Sequence, residues 1–169
     1  MTKESNVSGM EKNLFNSSFG IKLTPEQIVQ TISDFIKLDP NREYKIIVGT
    51  DSEKRAGDKA DFVTAIVVHR VGNGGRYFWR HIEGRNIHTL RDRMWREVLT
   101  SLEISKELAV LLRNASLDKY AFEVHVDVGE NGATRTMIQE LIGAVRANNF
   151  EAKTKPESFA ASKVADRHV

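Results

Sequence analysis

The sequence predicts an α/β fold organised around one central strand, and three features of the chain support this prediction. Residues 45–50 form a nearly all-apolar run bounded by polar residues, which is typical of a strand covered on both sides. Residues 62–68 and 76–82 follow as two further strand patterns joined by short turns, which favours an antiparallel meander. Helical and strand patterns then alternate to the end of the chain.

Length and composition favour one domain in a reducing compartment. The 169 residues suit a single core, and we expect a loose tail over residues 1–20, with Phe15 and Phe19 as candidates to pin it to the body, followed by one domain over residues 21–169. The absence of Cys excludes disulfides and thiolate metal sites. No apolar run reaches membrane-spanning length and the first residues do not resemble a signal peptide, so we expect a cytoplasmic protein without membrane contact.

The remaining elements follow from local signals. Thr24-Pro25-Glu26-Gln27 predicts a helix start with a capping box, and Asp39-Pro40 predicts its end. The other predicted elements are a turn at residues 72–75, a long helix at 89–114, a strand at 121–128, a helix at 135–148, a short strand at 150–154 and a terminal helix from about Ser158.

Two aspartates close predicted strands. Asp51 follows the central strand, and Asp127 closes the strand at residues 121–128 ahead of a Gly-containing loop. Open α/β sheets place their sites at the carboxyl ends of strands, so both residues are candidates for a site. The alternative for Asp51 is an aspartate that stabilises a turn together with Ser52 and Gly57.

Two more carboxylates join this set. Glu97 falls within the apolar stripe of the long helix, where an unpaired carboxylate is unfavourable unless it binds a cation; the alternative is an ion pair with Arg93. Asp166 lies on the predicted last helix, and its alternative is an ordinary exposed side chain. Converging carboxylates stay ionised only with a bound cation, and all-oxygen ligands select Mg²⁺ or Mn²⁺.

Positive charge is concentrated in one part of the chain. Lys and Arg outnumber Asp and Glu by only 25 to 23, but residues 76–96 hold Arg76, Arg80, Arg85, Arg91, Arg93 and Arg96. Arginine suits forked recognition of phosphate, whereas the alternative is a solvated charged face. We expect Arg91, Arg93 and Lys155 to steer phosphates by charge.

The order of elements and acids resembles the RNase H-like fold. The segments VGTDSE, RDRMWREVLTSLE, HVDVGENGATRTMIQELIGAVRANNFEAKTKP and AASKVADRH are similar to the YkuK family of RNase H-related proteins, over roughly residues 14–169. This resemblance implies a mixed sheet, three antiparallel strands followed by parallel strands, with helices on both faces. It also implies that the metal-binding and catalytic acids fall on Asp51, Glu97, Asp127 and Asp166. His168 and His125 are weaker candidates for a histidine near these acids, and a structural hydrogen bond is the favoured alternative for each.

Three functions remain open from the sequence. The first is a nuclease that uses Mg²⁺ or Mn²⁺, two ions with substrate bound, and cleaves the phosphodiester bonds of RNA, DNA or a hybrid. The second is a nucleic-acid-binding or adaptor module that kept the fold without turnover. The third is phosphate or nucleotide binding by the loop at residues 129–134, although a plain strand-to-helix turn is the stronger interpretation because the loop lacks the P-loop spacing and lysine.

Overall fold

The computed structural model of the chain describes residues 13–129, 135–159, 163–164 and 167. The strands are β1 (Phe15–Ser17), β2 (Lys22–Leu23), β3 (Tyr44–Lys54), β4 (Ala60–Arg70), β5 (Gly75–Gly84), β6 (Ala121–His125) and β7 (Glu151–Lys153). The α-helices are α1 (Pro25–Leu38), α2 (Leu90–Asn114) and α3 (Ile138–Ala147), the last preceded by a short 3-10 helix, Arg135–Met137. Within these ranges, no helix combines the length and apolarity needed to cross a lipid bilayer.

The strands form one mixed sheet in the order β2-β1-β5-β4-β3-β6-β7. Strands β3, β4 and β5 are the predicted antiparallel meander. Strand β6 runs parallel to β3, with Gly49 opposite His125, and β7 runs parallel to β6. The predicted combination of antiparallel and parallel strands is therefore confirmed.

Helices α1, α2 and α3 cover one face of this sheet. Helix α1 and the C-terminal half of α2 pack on β3 and β4 around Ile46 and Val48. The N-terminal half of α2 packs with α3 on Val124 and Val126, which extend the same face past β6. The burial of these side chains is the main source of stability for this layer.

The C-terminal segment lies against the opposite face. The ring of Phe159 stacks edge-on at 5.2 Å from His125 and 6.1 Å from His69, which both point away from the three helices. Val164 is buried, and the guanidinium of Arg167 lies 5.9 Å from the ring of Tyr77. Both faces of the central strands are thus covered, which explains the nearly continuous apolar sequence of β3.

Helices α1 and α2 both begin with a capping box. Thr24 and Gln27 form the predicted capping box at the start of α1, and Pro25 occupies the first helical position. Thr89 and Asp92 form a second capping box at the start of α2. This second cap satisfies the first N–H groups of α2, and Glu97 lies about two turns further along the helix.

Three predicted boundaries are wrong. The expected tail at residues 1–20 includes β1, a three-residue strand on β5 that is too short to be revealed by periodicity. Phe15 is buried as a pinning residue should be, whereas Phe19 is exposed. Asp51 does not end its strand, because β4 continues to pair with β3 as far as Lys54. Strand β6 ends at His125 rather than at residue 128, so Asp127 lies two residues beyond it.

Candidate active site

A cavity of about 840 Å³ opens at the carboxyl ends of β3 and β6, beside the N-terminal half of α2. Its walls are mostly polar and come from four parts of the chain: Asp51, Ser52, Leu90, Arg93, Met94, Glu97, Asp127, Gly129, Thr154, Lys155, Pro156 and Glu157. Three of the four acids predicted from the sequence are among them. The fourth, Asp166, lies outside the described residues, as do His168 and residues 130–134 of the proposed phosphate loop.

Asp51 and Asp127 reach the cavity because β3 and β6 are parallel neighbours. Their pairing ends with Gly49 opposite His125, and each aspartate follows two residues later on its own chain. Side chains two residues apart share a face of an extended chain, so both aspartates leave the sheet at one edge. The backbone N–H of Ser52 donates to Asp51 Oδ1 at 2.8 Å, which fixes one oxygen of that carboxylate.

Glu97 is the buried member of the site, with 5% of its surface exposed. Burial raises the pKa of its carboxyl to about 8, although a hydrogen bond from Ser52 Oγ to Glu97 Oε1 opposes this rise. The charges of Asp51 and Asp127 raise the same pKa, whereas Arg93 lowers it. Glu97 is therefore a neutral acid at pH 7 unless a cation enters the site.

Helix α2 is fixed to the sheet directly below Glu97. Ser101, one turn after Glu97, donates from Oγ to Thr50 Oγ1 at 2.8 Å, and the hydroxyls of Thr50 and Thr64 are 2.9 Å apart. All three hydroxyl residues are buried. Because this chain of hydrogen bonds ties α2 to β3 and β4, it fixes the position of Glu97 relative to the two strands.

Lys155 brings positive charge to the acids. Its Nζ lies 3.0 Å from Asp127 Oδ1, and its side chain is 56% exposed, compared with 19% for Asp127. The contact is an ion pair without hydrogen-bond geometry, since the buried Oδ1 atom has no hydrogen-bond partner in the described part of the chain. Arg93 lines the same cavity, and its Nε likewise lacks a hydrogen-bond partner among the described residues.

The other arginines of the cluster at residues 76–96 do not line the cavity. Arg91 pairs with Glu140 on α3 and is not part of the cavity wall. Arg76 lies 4.8 Å from the ring of Phe35, Arg80 lies 4.8 Å from the ring of Phe15, and Arg85 pairs with Glu83. Of the three predicted phosphate contacts, the structure brings Arg93 and Lys155 to the site and places Arg91 outside it.

His125 has a structural environment. Burial lowers the pKa of its ring, which is hydrogen-bonded on both sides. Nε2 lies 2.9 Å from Glu123 Oε2, and Nδ1 accepts the backbone N–H of Phe159 at 3.2 Å. Lys45 completes this cluster with Nζ 3.2 Å from Glu123 Oε1. The alternative favoured from the sequence, a polar residue with structural hydrogen bonds, describes His125.

The donor chemistry of the site fits a hard cation. Asp51, Glu97 and Asp127 supply carboxylate oxygens only, one of them the buried Asp127 Oδ1 without a hydrogen bond. The spacing is wider than a metal requires: throughout the described ranges, no three His, Cys, Asp or Glu side chains lie close enough to hold a metal ion. A cation held by the described carboxylates would require these side chains to move closer together.

Several residues of the site were not singled out from the sequence. Ser52 was interpreted only as a turn residue, yet it donates to Glu97, 45 positions away. Thr154 and Glu157 also line the cavity, and so does Gly129, the first residue of the candidate phosphate loop. The position of Ser52 one residue after Asp51 was the only local signal, because side chains on facing elements cannot be matched without knowing how those elements pack.

Comparison with known proteins agrees with this architecture. The family model described as Ribonuclease H-like matches residues 27–169. The uncharacterised protein YkuK of Bacillus subtilis (strain 168) is 31% identical over 169 aligned positions, which cover 91% of this chain and 95% of that protein. No solved structure matches the chain at a significant level. The chain belongs to the ribonuclease H-like family, as a relative of YkuK.

Proposed function

We propose that this protein is a nuclease that depends on Mg²⁺ or Mn²⁺ and hydrolyses phosphodiester bonds in nucleic acid. Membership of the ribonuclease H-like family supports a nuclease-related or nucleic-acid-binding role. The observation that carries the proposal is the single cavity that combines Asp51, Glu97 and Asp127 with the cationic side chains of Arg93 and Lys155. The acids can bind a metal ion, and the basic side chains can bind a phosphate group. Both are used in metal-dependent cleavage of a phosphodiester.

In this proposal the acids hold the metal. Asp51 and Asp127 bind the ions from the edge of the sheet, and Glu97 and Asp166 complete their coordination. The hydrogen bond from Ser52 to Glu97 keeps that carboxyl turned toward Asp51. When bound, two such ions activate a water and stabilise the leaving oxygen of an in-line displacement.

The basic residues bind the substrate. Arg93 lines the cavity, and a guanidinium can bind two phosphate oxygens at once. Lys155, next to Asp127, supplies a compact charge on a flexible stem. Together they place a phosphate group next to the three carboxylates.

The first test is the thermal response to metal. With Mg²⁺ or Mn²⁺ at about 100 times its Kd, the folded state gains about 2.7 kcal/mol. This gain corresponds to a rise in Tm of several degrees for a domain of this size. We expect the wild type and Asp58→Asn, which changes an aspartate outside the cavity, to respond equally. A screen of labelled RNA, DNA and hybrid duplexes with either ion then tests cleavage, and the absence of both responses would refute the proposal.

A second candidate is a nucleic-acid-binding module without turnover. It is favoured by the ion pair of Lys155 with Asp127 and by the wide spacing of the described carboxylates. Such a module binds through its cations alone, so its affinity falls with added salt and does not require a divalent ion. Binding that persists in EDTA without cleavage of any substrate would favour this candidate over the nuclease.

Arg93 and Arg91 form a matched pair for testing where nucleic acid binds. Arg93 lines the cavity, whereas Arg91, on the same helix, pairs with Glu140. We expect Arg93→Gln to weaken oligonucleotide binding and to reduce the slope of log K against log salt by about one. Arg91→Gln should change both quantities less. Fluorescence anisotropy at several salt concentrations measures them, and equal effects of the two substitutions would place the nucleic acid elsewhere.

A further inference from the structure

Lys155 is anchored by its backbone, and its side chain extends into solvent from that anchor. Its N–H donates to Val128 O at 3.0 Å, so the lysine follows the chain that leaves β6. The first part of its stem passes over Gly129, where an added Cβ would lie 3.7 Å from both Lys155 Cβ and Lys155 Cδ. More than half of the side chain is exposed. The ammonium can therefore move by rotation of the side chain while the backbone stays in place.

The ammonium now occupies the position that a cation at Asp127 needs. Nζ is 3.0 Å from Oδ1, a carboxylate oxygen that has no hydrogen bond within the described ranges. A divalent ion bound to the same oxygen would lie within a few ångströms of the ammonium, and like charges at that distance repel strongly outside bulk water. Lys155 and a metal ion thus compete for Asp127.

We propose that Lys155 is a displaceable internal counter-ion. In the free protein it neutralises Asp127; when a divalent cation binds there, the ammonium leaves and pairs with a phosphate of the nucleic acid. This inference rests on the proposed function, because it assumes that the cavity binds both a metal ion and a phosphate. It adds that the two ligands are coupled through one lysine.

The coupling has a defined sign. A metal that releases Lys155 raises the affinity for nucleic acid, and a phosphate that draws Lys155 away raises the affinity for metal by the same factor. Couplings of this kind are typically 5-fold to about 150-fold. Without Lys155 the metal no longer competes with the ammonium, so it should bind the free protein more tightly.

The experiment compares Lys155→Met with Lys153→Met. Lys153 is a suitable control because it forms an ion pair of the same 3.0 Å length, with Glu151, away from the cavity wall. Mn²⁺ is titrated against Tm, and binding of a phosphorothioate oligonucleotide is measured by anisotropy with and without Mn²⁺. We expect Lys155→Met to lower the Mn²⁺ midpoint at least about 5-fold and to reduce the effect of Mn²⁺ on oligonucleotide affinity to the part that the ion exerts directly on phosphate. Lys153→Met should match the wild type in both assays.

The outcomes separate this proposal from the nuclease itself. An Mn²⁺ midpoint in Lys155→Met that equals or exceeds that of the wild type overturns the counter-ion role while leaving the metal site in place. If Lys155→Met responds to Mn²⁺ while the wild type and Lys153→Met do not, the counter-ion role is supported, because the ammonium then blocks the metal site in the wild type. Coupled binding without cleavage of any substrate supports the role and refutes the nuclease. No response to Mn²⁺ in any variant refutes both.

Discussion

Asp51→Asn is expected to lower the rate of cleavage by about 1,000-fold or more and to leave the protein folded. Loss of metal-held charge stabilisation removes several kcal/mol from the transition state, and each 1.36 kcal/mol is about tenfold in rate. Asparagine keeps the shape of the side chain and can still accept the Ser52 N–H. It also removes a negative charge that raises the pKa of Glu97, so stability should stay level or rise.

The measurement pairs initial cleavage rates with thermal melting. Asp58→Asn is the matched control, since Asp58 lies in the same β3–β4 hairpin but does not line the cavity. We expect the control to retain the activity and metal response of the wild type, and Asp51→Asn to lose both. Undiminished cleavage by Asp51→Asn, at unchanged Tm, would mean that the acids of this cavity do not carry the reaction.

The sequence predicts those elements whose structure depends on residues close together in the chain. A capping box predicted the start of α1, and apolar spacing predicted α1 and α2, because a helix satisfies its hydrogen bonds within one segment. The same spacing placed Glu97 on the buried face of α2, where the structure has it. Alternation and turn residues predicted the β3–β5 meander because these strands are joined by short connections.

What could not be predicted depends on contacts between distant segments. The length of β3 is set by its partner β4, so the strand continues past Asp51 although its own sequence turns polar. The pairing of Lys155 with Asp127 and that of Arg91 with Glu140 depend on how β6, β7, α2 and α3 pack together. Of the arginines clustered in the sequence, Arg93 therefore lines the cavity, whereas the others form ion pairs or aromatic contacts elsewhere or lie outside the cavity wall.

Glu97→Gln is expected to stabilise the protein without metal and to remove its response to metal. Each pKa unit corresponds to about 1.4 kcal/mol, so a pKa raised from 4.5 to about 8 sets a ceiling of about 5 kcal/mol on the cost of ionising Glu97 in the folded protein. The cavity admits water, which lowers this cost, and we expect a difference of about 2–3 kcal/mol at pH 8.5. Glutamine resembles the protonated acid and keeps an oxygen for the Ser52 hydroxyl.

The sign follows from proton binding. Between pH 4.5 and about 8 the folded wild type holds a proton on Glu97 that the unfolded chain has released, so its stability falls as pH rises through this range. Glutamine has no proton to lose. The advantage of Glu97→Gln should therefore be absent below pH 4.5, grow across the window and level off above pH 8. Glu103→Gln, an exposed change on the same helix, should show no such trend.

Denaturant unfolding from pH 4 to pH 9 in EDTA, repeated with Mg²⁺, measures both halves of this prediction. Without metal the variant should be more stable than the wild type at alkaline pH; with metal the wild type should gain stability and the variant should not. This reversal distinguishes a metal-binding acid from a structural one. If Glu97 were a structural acid, Glu97→Gln would be less stable than the wild type both with and without metal. If Glu97→Gln is less stable at pH 8.5 in EDTA, the hydrogen bond with Ser52 outweighs the burial of the charge, and the carboxylate belongs to the fold.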